Sequence, residues 1–194
     1  MKAAGIGFRT KTGRAIVVAV SVEASAPVVV LRREILLHDP KVPATFQPHH
    51  EVMDLPWPEA QRAASLFERS IEKIAAAGLK ELSNELRDLG FGLSGVGVVG
   101  SSDRNLEKIG NFHIRAHAAE GILFRRVVET AAGKNKLPWR GFSDRDILQK
   151  AADALGMREE KLGTTLKMMG KAAGSPWRQD ERAAAAAAWV VMRK

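Results

Sequence analysis

The side chains able to do chemistry fall in a few places along 194 residues, and none of them is a cysteine. His113, His117 and Glu120 stand at i, i+4 and i+7, a spacing that puts all three on one helical face. Two imidazoles one turn apart can hold a metal ion, and a carboxylate could complete the set. Ile114, Ala118, Gly121 and Ile122 form an apolar stripe with His117 on its border, and a histidine so placed is ordinarily packed or hydrogen bonded. Both readings follow from the same spacing. His49–His50–Glu51 lies in a proline-rich stretch and is the weaker candidate of the two.

The run "GVGVVG" at 95–100 fits the glycine fingerprint of dinucleotide-binding turns. That fingerprint needs a strand before the glycines and a helix opening on them. Here a helical pattern precedes, and the glycines alternate inside the strand itself, which instead permits close packing by a neighbouring element. No phosphate loop of the G-x-x-x-x-G-K-[ST] type occurs. Tryptophan follows proline three times, at Trp57, Trp139 and Trp177. Beside an arginine, an exposed tryptophan offers a stacking face for a base and a charge for phosphate. Trp139, in an expected strand, reads as a plug at the core edge, whereas Trp177 with Arg178, Lys167 and Lys171 nearby suits either role.

Charge points the same way. Thirty Lys and Arg against 22 Asp and Glu leave +8, a field that attracts polyanions. The absence of cysteine excludes disulfide scaffolds, zinc–thiolate sites and thiol nucleophiles. No apolar run approaches bilayer length, and the first residues lack a secretory layout, so a cytoplasmic home is expected. The length suits one domain spanning 1–194.

Valine-, isoleucine- and leucine-rich runs predict strands at 5–10, 16–22 and 28–37. Residues 38–58 hold five of the eight prolines and no periodicity, which reads as an inserted loop. Helical spacing predicts a helix over 59–89, with Pro58 in its first turn and Gly90 just past its end. A strand at 93–100, a helix at 105–132, a strand at 136–142 and helices at 143–155, 160–173 and from 179 complete the order. The last, "ERAAAAAAWVVM", combines helix propensity with side chains small enough for close approach to a sheet. This order argues for an α/β domain with helices on both faces of a mixed sheet.

With three local stretches, the element order resembles the RuvC-like Holliday-junction resolvases of the ribonuclease-H-like superfamily. "GIGFRTKTGRAIVV" looks like their opening strand and hairpin, which usually runs Gly-Ile-Asp-Pro-Gly. "VGVVGSSDRN" and "LPWRGFSDRDI" resemble the central strand and the fifth strand leading into a helix. "MGKAAGSPWRQDERAAAAAAWVV" resembles the terminal helix with its acids at the start. The resemblance covers most of the chain outside 38–58. It implies a ribonuclease-H-like fold, with a five-stranded sheet whose first three strands form an antiparallel meander, and a homodimer.

In that family, clustered carboxylates hold two Mg²⁺ ions that activate water at a phosphodiester. Carried over residue by residue, the first-strand acid falls on Gly7, the central-strand acid on Gly100, and the last-helix acids on Asp180 and Ala183, with Glu181 beside them. Asp103 is placed to reach back toward the strand end, and Asp144 and Asp146 read as N-terminal caps. The expectation is a catalytically degenerate RuvC-like protein without nuclease activity or cofactor, which binds DNA rather than RNA as a scaffold or non-catalytic subunit. Arg9, Lys11, Arg14, Lys167, Lys171, Trp177 and Arg178 would form its nucleic-acid surface. One alternative is a Mg²⁺-dependent endonuclease with relocated acids, Asp180, Glu181 and Asp103, and metal candidates among Asp180, His113, His117 and Glu120. Another is a protein-interaction subunit. An actin-like or sugar-kinase-like nucleotide module also wants an acid near Gly7 and a second domain.

Overall fold

The computed structural model describes residues 1–193. The β-branched N-terminal third forms three strands, β1 (Lys2–Lys11), β2 (Arg14–Glu23) and β3 (Ala26–Leu36). They run antiparallel in sequence, and two-residue turns join them. Ala24 and Ser25 in the second turn both have positive φ, 45° and 66°, as a turn matched to the twist of the strands requires. Strands β4 (Phe91–Gly100) and β5 (Trp139–Ser143) add in parallel, giving the order β3-β2-β1-β4-β5. The expected five-stranded mixed sheet with an antiparallel meander is thus found.

Helices cover both faces, because β2 and β4 alternate apolar residues toward two separate cores. Against one face lie α1 (Trp57–Asp88) and α2 (Phe112–Lys134), over Ile6, Phe8, Val96 and Val98. Against the other lie α3 (Ile147–Leu155), α4 (Glu159–Ala173) and α5 (Gln179–Val190), over Val18, Val20 and Val99. No helix of the described residues is long and apolar enough to cross a membrane.

Two helix starts and the setting of one tryptophan differ from the sequence expectations. Helix α2 starts at Phe112 rather than 105, because Leu106–Lys108 makes a separate 3-10 turn and the Asn111 side chain caps the Ile114 backbone N–H at 2.9 Å. Helix α3 starts at Ile147 rather than 143. Asp146 occupies its cap position but bonds Lys150 at 2.7 Å instead of a backbone N–H. Trp139 is 47% exposed on edge strand β5 and does not plug the core. The proline-rich stretch between β3 and α1 is ordered by the buried Thr45, whose hydroxyl accepts from the Asp39 backbone N–H at 2.9 Å and donates to the Val42 carbonyl at 2.7 Å.

Candidate functional site

Ala184, Ala187 and Ala188 of α5 lie against the glycines of β1 and β4, so backbone meets backbone. A Cβ at Gly7 would fall on the Ala184 carbonyl oxygen, and one at Gly97 would come within 2.7 Å of the Ala187 carbonyl. The position that the resemblance gives to the first-strand acid is therefore filled by the helix itself. Gly100 faces the opposite side of the sheet. A Cβ there would meet the Thr10 hydroxyl at 2.6 Å and the Arg125 Cβ at 3.0 Å. Side chains at 7 and 100 would diverge across the sheet.

The remaining acids are each engaged separately. Glu181 is buried and accepts the Arg178 backbone N–H at 2.8 Å, so it caps α5. Asp103 pairs with Arg125 at 2.7 Å and Arg126 at 3.1 Å. Burial works against ionisation of Asp103, but the two guanidiniums hold its carboxyl below the usual carboxylate range. Asp180 lies 3.3 Å from Arg9 Nε and 3.1 Å from Lys11 Nζ. Asp144, at the end of β5, takes the other side of the same guanidinium at 3.1 Å. The Arg9 side chain, near the N-terminus and only 13% exposed, thus bridges two carboxylates from the far end of the chain.

Around this bridge lies a cleft of about 430 Å³ between β1, α3 and the start of α5. Four cations (Arg9, Lys11, Arg145, Arg182) face four carboxylates (Asp144, Asp146, Glu159, Asp180) across it. Arg9, Lys11 and Arg14, expected as free phosphate ligands, are paired instead, Arg14 with Glu34 at 3.1 Å. Lys167, Lys171 and Arg178 are exposed and have no acidic partner among the described residues, and Arg145 and Arg182 join them. Trp177 is not a free stacking face. It is half-buried against the core, with its ring over Gly170, where a Cβ would strike it.

On the other face, at the start of α2, a second constellation forms. His113 and His117 meet His50 from the proline-rich loop, with ring centroids 4.4–5.1 Å apart and the rings nearly perpendicular. Their ligating nitrogens all lie within 4.8 Å of one another. Glu120 is fully buried behind them and accepts from His50 Nδ1 at 2.8 Å and from the His50 backbone N–H at 3.3 Å. Burial pushes the Glu120 carboxyl up, against these hydrogen bonds from His50. Burial and the two neighbouring histidines lower His117. His49 points away, packs beside Trp57, and is lowered to about 4 by burial and then by His50. Its 3.8 Å approach to Glu68 is consequently an uncharged contact at neutral pH.

Sequence spacing brought His113, His117 and Glu120 to one face but placed the carboxylate among the ligands; it stands behind His50. His50 itself was visible only as a histidine in an aperiodic loop. Among the described residues, no other three histidine or acidic side chains come together in this way, the acids of the cleft included.

Solved structures locate this architecture. A RuvC from Thermus thermophilus superposes with a TM-score of 0.55 at 12% identity, covering 96% of this chain and 92% of that one. The T. thermophilus RuvC in complex with a Holliday junction substrate gives 0.54 at 11% identity, over 96% and 91%. The fold is that of the RuvC-like, ribonuclease-H-like proteins. No protein-family model and no curated protein matches the chain.

Proposed function

We propose that this chain is a RuvC-like protein that binds structured DNA at the cleft rim and does not cleave it. The observation that carries the reading is Arg9. Its guanidinium already bridges Asp144 and Asp180, two of the carboxylates that line the cleft. A two-ion Mg²⁺ site needs several carboxylate oxygens converging on each ion in near-octahedral array. The donors here do not fit that demand. Gly7 has no room for a side chain, Gly100 faces away, Glu181 caps a helix and Asp103 is held by two arginines.

Binding is supported by the fold it shares with a RuvC captured on a Holliday junction. It is supported also by the net charge of +8 and by exposed cations without an acidic partner among the described residues. Lys167 and Lys171 lie in the C-terminal half of α4 and Arg178 just before α5, and Arg145 and Arg182 line the cleft. Contacts of this kind are to backbone phosphates, which gives affinity with little sequence preference. The balanced charge inside the cleft supports binding at its rim rather than within it.

Fluorescence anisotropy with single-stranded DNA, duplex, a four-way junction and RNA, over a salt series, tests the reading. Preference for the junction is expected, with log K falling against log salt at a slope of roughly 4 for about five phosphate contacts. Gels run in Mg²⁺ and Mn²⁺ should show intact substrate. Cleavage that Asp180→Asn abolishes would overturn the reading, as would equal failure to bind all four nucleic acids.

A further inference from the structure

The histidine cluster takes no part in the nucleic-acid reading and lies on the opposite face of the sheet from the cleft. We infer that His50, His113 and His117 bind one transition-metal dication of the zinc class, with Glu120 orienting the ligand from the loop. Three observations carry this. The ligating nitrogens are already gathered within 4.8 Å of one another, from a loop and from two successive turns of α2. The Glu120 carboxyl accepts a hydrogen bond from His50 Nδ1 at 2.8 Å, the tautomer that leaves the lone pair on Nε2. That Nε2 atom is buried and has no hydrogen-bond partner.

A carboxylate behind a ligating histidine is the arrangement that fixes tautomer and ring direction in metal sites. The donor set is all imidazole, which suits zinc, copper, nickel or iron(II) and not magnesium or calcium. A tetrahedral ion with Zn–N bonds of about 2.0–2.1 Å spaces its ligands about 3.3–3.4 Å apart. His113 and His117 are exposed and free to close that remaining gap by small rotations. Their exposure also leaves the fourth coordination position to water. An ion here would tie the proline-rich loop to α2, since His50 comes from one and its partners from the other.

The test uses the full chain, freed of any histidine tag, stripped with chelator and titrated with ZnCl₂ by calorimetry. Co²⁺ titration followed by visible absorption reads the coordination directly. One ion per chain is expected, with the intense visible bands of four-coordinate Co²⁺. His113→Ala and His117→Ala change exposed helical positions that alanine suits, and each should abolish both signals while circular dichroism stays unchanged. Glu120→Gln should keep one ion per chain but weaken binding roughly 10–100-fold. No zinc binding by the parent chain would overturn the inference. So would zinc binding unaltered in both histidine variants, because the ion would then sit elsewhere.

Discussion

The cleft and the histidine cluster pose the same chemical problem and solve it in opposite ways. In the cleft, acids from β5 and α5 converge on a cation that the chain itself supplies, Arg9. In the cluster, three imidazoles converge from the loop and α2, with the buried Glu120 carboxyl behind His50. Arg9 and Lys11 together balance the charge of Asp144 and Asp180, so these carboxylates already have their cations. A buried imidazole nitrogen without a partner does the reverse, because its desolvation is uncompensated until something binds. The family resemblance directs attention to the first region, while the second is built partly by the loop that the resemblance leaves out.

That contrast can be attacked from either side. The largest effect is expected from Gly7→Asp, which would restore the family's acid in name. Any Cβ there collides with α5 backbone, so stability should fall by about 4 kcal/mol or more. Urea unfolding would measure it. A stable Gly7→Asp variant that gained Mg²⁺ binding would erase the distinction between the two regions. Arg9→Ala should cost about 2–4 kcal/mol, since it strips two partly buried carboxylates of their shared partner. Removing the cation should also let Mg²⁺ raise the melting temperature of that variant, an effect absent from the parent chain.

A smaller loss, about 1–3 kcal/mol, is expected for Thr45→Val, which unties two hydrogen bonds inside the proline-rich loop. The same change should weaken zinc binding without touching a ligand, because His50 rides on that loop. DNA affinity should be unaltered. Lys171→Glu or Arg182→Glu should behave inversely, lowering the salt slope of DNA binding by about 1 while leaving zinc binding intact. Arg14→Ala should do least. Its pairing with Glu34 is solvent-exposed, and such pairs contribute about 0–1 kcal/mol.

Much of the fold was legible because its causes are local. Val, Ile and Leu runs make β1 to β3, and the alternating glycines of β4 with the alanines of α5 announce a close backbone approach, which Gly97 and Ala187 realise. Helix starts were less legible, because Asn111 caps α2 after a 3-10 turn that shares its apolar texture. The sites were legible only in part, and the reason is separation along the chain. Arg9 and Asp180 are 171 residues apart, so an arginine that reads as a free phosphate ligand turns out to be spoken for. His113 and His117 were placed together by helical spacing, but His50 reaches them through an aperiodic loop whose path no periodicity encodes.

The most direct test sets the two regions against each other in one calorimeter, with the metal-stripped, tag-free chain titrated first with Mg²⁺ and then with Zn²⁺. No heat of Mg²⁺ binding followed by one zinc site, lost in His117→Ala and untouched in Asp180→Asn, is the predicted result. A Mg²⁺ site that Asp180→Asn removes, with no zinc site at all, would contradict it.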